Sequence, residues 1–126
     1  MINIIALRKA LKILLNTDHA RVYFQEPNTD ATFPYLIYDL PNSYDLGDSE
    51  VFTLDVDGWD NPADKDSTAL ETLMDAMDAV VNKHAEVLEW DGGKAGIAIF
   101  REARLTLQED DKRILRRKYT YQVQVV

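Results

Sequence analysis

Residues 51–64 read VFTLDVDGWDNPAD, and this stretch decides how the rest of the chain is interpreted. Apolar residues alternate with polar ones along it, which is the period-two pattern of a half-buried β-strand. The apolar face of the predicted strand is formed by Phe52, Leu54 and Val56. The opposite face carries Asp55, Asp57 and Trp59. Glycine, asparagine and proline near the end of the stretch predict that the strand stops there and the chain turns.

A helix is predicted after this turn, in DSTALETLMDAMDAVVNK (residues 66–83). Its apolar residues recur at helical spacing. The stripe begins at Ala69 or Leu70 and continues through Leu73, Met74, Met77, Val80 and Val81. Thr68 and Glu71 have the spacing of a capping box, in which each side chain accepts a hydrogen bond from the backbone N–H of the other.

The N-terminal segment predicts another amphipathic helix of about three turns. Its apolar stripe consists of Ile4, Leu7, Leu11 and Leu14, and its basic residues are Arg8, Lys9 and Lys12. Asn16 is the predicted stop, since asparagine tolerates the left-handed conformation that ends many helices. A membrane surface is one conceivable partner for the basic face, but so short a segment with so few charges favours packing on a sheet.

Two strands are predicted between the first helix and residue 51. The first is ARVYF (residues 20–24), and the second is PYLIYDL (residues 34–40), with Pro34 and Pro41 marking its ends. Leu36, Tyr38 and Leu40 share one face of the second strand. The following PNSYDLGDS (residues 41–49) is interpreted as a polar loop.

The C-terminal third predicts a short strand, AEVLEW (residues 85–90), and then a long antiparallel hairpin. The hairpin strands are GIAIFREARLTLQ (residues 96–108) and RILRRKYTYQVQVV (residues 113–126), joined by EDDK. The apolar face predicted for the first of these strands consists of Ile97, Ile99, Ala103, Leu105 and Leu107. The face predicted for the second consists of Leu115, Tyr119, Tyr121, Val123 and Val125.

The order of helix, strands, helix and strands indicates an α+β fold. We expect a mainly antiparallel β-sheet flanked by two amphipathic helices, with a long C-terminal β-hairpin, in a single domain over residues 1–126. A chain of 126 residues is long enough to bury a core without staples. It has no cysteine, which excludes disulfides, thiolate metal sites and thiol catalysis.

Charge is unevenly distributed along the chain. Residues 39–91 hold 15 acidic and 2 basic side chains, a net charge of −13, whereas residues 92–126 hold 8 basic and 4 acidic ones, a net charge of +4. The overall charge of −8 argues against generic binding to nucleic acid, which requires a basic surface. A solvated acidic surface explains the pattern, and so does an assembly whose subunits meet acidic face to basic face.

Motifs for chemistry are absent from the sequence. The acids from Asp55 onward fail the EF-hand pattern, because Trp59 and Asp60 occupy the positions where an acid and the glycine belong. The short match to a D-x-D motif, and an aspartate pair for acid–base work, are expected by chance in so acidic a chain. We therefore expect no catalytic residues, no metal and no cofactor, and no apolar run approaches the roughly 18 residues of a membrane span.

One basic cluster stands out as a possible contact for phosphate or DNA. It consists of Arg113, Arg116, Arg117 and Lys118. A charged strand face that discourages edge-to-edge pairing explains the same residues equally well.

The succession of PYLIYDLPNS, FTLDVDGWDNPAD and STALETLMDAM resembles the tail terminator (tail completion) proteins of long-tailed bacteriophages and prophages. The likeness extends over most of the chain, and the short N-terminal helix and the closing hairpin agree with it. It is a likeness of structural pattern, and it carries over no catalytic residue.

The resemblance implies a virion structural protein, assembled in the host cytoplasm, that caps the head-proximal end of the tail tube. Such proteins form rings, typically hexamers, that end tube polymerisation and contact both the major tail tube protein and the head–tail connector. Genomic DNA passes through the lumen without sequence-specific binding, and no membrane is involved. Another head–tail connector or head completion protein of the phage neck remains the alternative.

A ring also offers an explanation for the charge distribution. Its interfaces are heterologous, so the acidic segment and the basic hairpin can meet between neighbouring subunits, or one of them can face the lumen. The candidate interface residues are Asp55, Asp57, Trp59, Arg113, Arg116, Arg117 and Lys118.

Overall fold

Two helices and six strands make up the fold, in a computed structural model that describes residues 2–126. The helices are α1 (Ile4–Leu15) and α2 (Thr68–Val81). The strands are β1 (Val22–Phe24), β2 (Tyr35–Asp45), β3 (Glu50–Asp60), β4 (Ala85–Trp90), β5 (Gly93–Gln108) and β6 (Leu115–Val125). They form one sheet in the order β1-β2-β3-β6-β5-β4, in which only the pair β1 and β2 is parallel.

Both helices pack on the same face of the sheet. Tyr38 on β2 donates a hydrogen bond from its hydroxyl to the carbonyl of Arg8 in α1, and Tyr121 on β6 donates one to Asp78 in α2. The strand register places the two tyrosines on one side, which we call the helix face. We call the other side the open face. The predicted α+β fold with a mainly antiparallel sheet is thereby confirmed.

Strand β3 follows the predicted alternation of apolar and polar residues. Phe52, Leu54 and Val56 are buried on the helix face, and the strand continues to Asp60. At Gly58 the sheet meets α2 so closely that an added Cβ would lie 2.5 Å from the sulfur of Met74. Glycine therefore allows this close approach of helix and sheet without displacing the Met74 side chain.

Strand β2 is longer than predicted. Pro41 does not end it, because the strand runs through residue 45 and the turn to β3 is confined to residues 46–49. The pairing with β3 shifts between Asp39 and Asn42, so Pro41 lies in a β-bulge. A bulge leaves residues out of the ladder, which explains how proline is tolerated within the strand.

A second bulge changes which residues of β5 face the helices. The register shifts between Arg101 and Ala103. Beyond this shift, each side chain lies on the face opposite to the one that simple alternation predicts. Leu105 pairs with Lys118 on the open face, and Ile97 and Ile99 are buried on the helix face. The predicted common face for Ile97, Ile99, Ala103, Leu105 and Leu107 was therefore wrong.

The helix ends also differ from the predictions. Thr68 and Glu71 form no capping box: the N–H and the hydroxyl of Thr68 both donate to Asp66, at 2.9 and 2.6 Å. Helix α1 ends where predicted, with Asn16 as its C-cap, but Asn16 has φ −70° rather than a left-handed conformation. Its N-terminus is capped by Asn3, which accepts hydrogen bonds from two backbone N–H groups.

Candidate functional site

Five of the seven candidate interface residues lie together on the open face. They are Asp55, Asp57 and Trp59 on β3 and Arg116 and Lys118 on β6. The two strands are hydrogen-bonded neighbours, and their register places Asp57 beside Lys118 and Trp59 beside Arg116. Residues that are far apart in the sequence thus form one cluster, which we call the open-face network.

Arg116 is the centre of the open-face network. Its guanidinium nitrogens lie 3.2 Å from an oxygen of Asp57 and 3.1 Å from an oxygen of Glu109. The same guanidinium lies 4.6 Å from the centre of the Trp59 ring, which is the geometry of a cation–π contact. Only 23% of the Arg116 side chain and 15% of the Asp57 side chain are exposed, so solvent screens this pair less than an exposed one.

The second pair of the network is looser and less favourable. Lys118 Nζ lies 3.9 Å from Asp55. Burial raises the pKa of Asp55, the positive charge of Lys118 opposes that rise, and the neighbouring carboxylate of Asp57 adds to it. Asp55 is therefore a carboxylate that the fold holds in a position unfavourable to its charge.

Arg116 has the opposite balance. Burial by itself lowers its pKa, but the hydrogen bonds and charges of Asp57 and Glu109 outweigh burial and raise the pKa. The guanidinium of Arg116 therefore stays charged, as arginine does in proteins generally.

Three buried polar atoms of the open-face network have no hydrogen-bond partner among the described residues. They are Asp57 Oδ1, Trp59 Nε1 and Arg116 Nε. Buried polar groups are normally satisfied, so this concentration is unusual for a purely structural cluster.

The remaining two candidate residues lie elsewhere. Arg117 points to the helix face, where it donates to Glu71 in the first turn of α2. Arg113 lies in the turn between β5 and β6 and pairs with the exposed Asp111, whose pKa its hydrogen bonds and charge lower to about 2. The basic cluster of the sequence is therefore three separate features in the fold.

The acidic segment and the basic hairpin do meet, but within one chain. Asp57 and Asp55 on β3 contact Arg116 and Lys118 on β6, and Glu71 on α2 contacts Arg117. These pairs account for part of the segregated charge without a second subunit. Contacts of the same residues with a neighbouring subunit remain a prediction.

Metal binding has no structural support at the aspartates. Within residues 2–126 no group of three or more histidine, cysteine, aspartate or glutamate side chains is placed to hold an ion. Asp55 and Asp57 each face a basic side chain instead of each other. Over the same residues, no helix is long and apolar enough to cross a bilayer.

A polar network on the helix face was not predicted from the sequence. Tyr121 donates to Asp78 at 2.7 Å, and Arg101 pairs with the other oxygen of Asp78 at 2.6 Å. Asn82 accepts from the backbone N–H of Arg101. The network joins α2 to β5 and β6, and Arg101 reaches it because it alternates with Ile97 and Ile99 on the helix face ahead of the bulge.

Comparison with known proteins identifies the fold and no family. No protein-family model matches the chain, and no curated protein matches it. A chain from the virion of a native gene transfer agent particle has the same fold, with a TM-score of 0.69 and 15% identity over 95% of this chain and 88% of that one. A second solved structure is 14% identical, covers 100% of this chain and 97% of its own, and gives a TM-score of 0.67.

Proposed function

We propose that this protein is a structural component of a phage-like virion, and specifically the tail terminator. In this role it forms a ring, with six subunits as the expected number, at the head-proximal end of the tail tube. The ring stops tube polymerisation and joins the tube to the head connector. Its partners are further copies of itself, the major tail tube protein and the connector protein, and the role is not enzymatic.

The observation that carries this proposal is the likeness of fold to a chain of the gene transfer agent virion. The likeness spans nearly the whole of both chains, so the entire domain has a counterpart in a virion particle. The sequence resemblance to tail terminators, in PYLIYDLPNS and the strand that ends VDGWDN, supplies the more specific assignment.

The open face gives a second line of support. Both helices lie on one side of the sheet, so the other side has no second layer, and its exposed apolar residues include Val87, Phe100 and Leu105. A neighbouring copy in an assembly would cover these apolar side chains.

The net acidic charge fits a channel through which DNA passes. An acidic lumen repels the phosphate backbone and keeps the DNA free to slide, whereas a basic lumen would bind it. In this proposal the genome contacts the ring without sequence-specific binding, and the protein resides in the tail of the virion.

The test is to inactivate the gene in the virus that encodes the protein and to image the lysate by electron microscopy. A terminator mutant produces tail tubes that exceed the normal length and carry no heads. Complementation with the intact gene restores tails of normal length. Tails of normal length, attached to heads in the absence of the protein, would refute the proposal.

The same images separate the alternative, another connector or completion protein of the neck. The likeness to a chain of the gene transfer agent virion is compatible with either position in the particle. If the protein belongs to the head side of the neck, the mutant makes tails of normal length that stay unattached, together with heads that lose their DNA. Tube length is therefore the deciding measurement.

A further inference from the structure

The sheet has a free edge on β5. Strand β4 covers only residues 93–98 of β5, and within residues 2–126 no backbone group pairs with the outer edge of residues 103–108. Leu105 is exposed on the open face of this stretch, and Arg104 and Thr106 lie on the helix face. An unpaired strand edge is a template for another strand.

A second unpaired stretch lies toward the opposite edge of the sheet, on β2. Strand β1 covers only residues 36–38, and the outer edge of residues 42–45 has no partner in the described part of the chain. Tyr44 is 60% exposed on the open face, and Ser43 and Asp45 lie on the helix face. Pro41 and the bulge lie just outside this stretch, so they do not block it.

One antiparallel register makes the two edges complementary. If Ser43 lies opposite Thr106, then Tyr44 lies opposite Leu105 and Asp45 lies opposite Arg104. Each pair shares a face, and the three pairs join hydroxyl to hydroxyl, apolar to apolar, and acid to base. Neither Asp45 nor Arg104 forms a salt bridge within residues 2–126. Pairs of these kinds stabilise neighbouring strands.

The positions of the two edges agree with closure into a ring. The strand register places Ser43 level with Phe52 of β3, and it places Thr106 level with Gly58 of the same strand. The two edge positions are therefore offset by six residues, or about 20 Å along the strands. Each copy contributes the four strands β2, β3, β6 and β5 to the joined sheet, so the sheet repeats about every 19 Å across the strands. The shift along the strands from one copy to the next is then about equal to the repeat across them. Such a shift tilts the strands by about 45° from the ring axis, close to the tilt found in closed barrels.

We propose that neighbouring subunits of the ring join through these edges, with residues 42–45 of β2 in one copy pairing antiparallel with residues 104–107 of β5 in the next. The inference rests on the proposed ring and names the surfaces that build it. Because the two edges differ, the contact is heterologous and repeats around a ring. The strands of all copies then form one continuous sheet.

The absence of cysteine from the chain makes disulfide trapping a clean test. Neighbouring antiparallel pairs alternate between wide and narrow spacing, so two double variants are needed: Ser43→Cys with Thr106→Cys, and Tyr44→Cys with Leu105→Cys. Under mild oxidation, at least one of them is expected to form a ladder of multimers on a non-reducing gel. Each single-cysteine variant forms dimers at most, since it has one thiol.

A matched control places the second cysteine on β4, the edge strand that neighbours β5. Tyr44→Cys with Glu89→Cys has the same number of thiols, and both lie on the open face, but it is expected to give no ladder. A ladder from the control and none from the β5 pairs would overturn the assignment of the edge.

A reciprocal charge test is independent of thiols: Arg104→Asp and Asp45→Arg each weaken assembly, and the double variant restores it if the two residues face each other.

Native mass spectrometry of the unmodified protein separates this inference from the proposed function. Rings that form without a ladder from either β5 pair would overturn the edge pairing and leave the terminator role standing. A ladder, together with normal tails in a virus that lacks the gene, would support the edge pairing and refute the role. Monomers at all concentrations with no ladder would overturn the edge pairing.

Discussion

The guanidinium of Arg116 lies 4.6 Å from the centre of the Trp59 ring, directly across the pairing of β6 with β3. The same group binds Asp57 and Glu109. One residue thus stacks on an aromatic ring and neutralises two acids, which only the planar, multidentate guanidinium can do at once. Arg116 therefore organises the charged side chains of the open face.

Replacing Arg116 by alanine should lower the free energy of unfolding by about 2–4 kcal/mol, since it leaves the largely buried Asp57 without its counter-charge. Arg116→Lys keeps the charge but loses the stacking and the paired donors, so its stability should lie between that of the wild type and that of Arg116→Ala. Urea denaturation measures both. Arg113→Ala is the control, because Arg113 is exposed and its pair should contribute little. A lysine variant as stable as the wild type would contradict this account.

Gly58→Ala should destabilise the fold by about 1–3 kcal/mol, because the added Cβ meets the Met74 sulfur at 2.5 Å in a filled core. Gly96→Ala is the matched control: its Cβ meets the nearest atom at 3.6 Å, an ordinary contact. Thermal or urea unfolding of the two variants should differ clearly. Met74→Val should cost less in the Gly58→Ala background than alone, since it removes the clash. Additive effects would show that Met74 is not the obstacle.

The stability of the protein should fall above pH 10 in a way that depends on Tyr121. Burial and the hydrogen bond to Asp78 raise the pKa of Tyr121 above its ordinary value of 10.0. The folded state thus favours the neutral phenol, and the stabilisation is fully present below pH 10 and is lost as the pH rises further. Tyr121→Phe should lose about 1–2 kcal/mol at pH 7 and show a shallower decline above pH 10.

Unfolding measured by urea at pH 7, 9 and 11 tests this dependence. Tyr44→Phe is the control, because Tyr44 is 60% exposed, and its decline should match that of the wild type. If Tyr121→Phe and the wild type declined equally between pH 9 and 11, the buried phenol would not be the responsible group.

Asp55→Asn should stabilise the isolated subunit at pH 7 by about 0.5 kcal/mol. The pKa of Asp55 is raised, chiefly by burial, so the folded state disfavours its charged form and asparagine removes that cost. The advantage should shrink as the pH falls toward 4, because Asp55 then takes up a proton and becomes neutral itself. Melting temperatures at pH 7 and 4 measure the difference.

Asp57→Asn provides the contrast on the same strand. It weakens the pairing with Arg116 and should lower stability at pH 7, although the two substitutions are chemically identical. A stabilising Asp57→Asn, or an Asp55→Asn variant that lost stability at pH 7, would show that the two carboxylates have been assigned the wrong roles.

Much of the fold could be predicted because local patterns decide it. Alternation in residues 51–60 and the helical stripe of residues 68–81 each require one buried face, and that requirement leaves little choice of element type. The faces of β3 and β6 were predicted correctly for the same reason: Leu54 and Tyr121 alternate with polar neighbours over the full length of their strands. Here the sequence by itself determined the elements and their buried sides.

Bulges and long-range pairing lie outside such patterns. A bulge adds one residue to one strand and exchanges the two faces beyond it, so Leu105 points away from the core although its spacing from Ile99 predicts the reverse. Pro41 lies in the bulge of β2, although proline in the sequence predicted a strand end there. Whether an extra residue is absorbed in this way depends on the neighbouring strand, which local sequence does not specify.

The open-face network shows the same division. Asp57 and Arg116 were candidates from the sequence because charges line one side of each strand, but 58 residues lie between them in the chain. Only the pairing of β3 with β6 brings them within 3.2 Å, and only the turn after β5 adds Glu109. Side-chain periodicity is a local property and was readable from the sequence, whereas contacts between distant strands follow from the sheet order, which the tertiary structure alone decided.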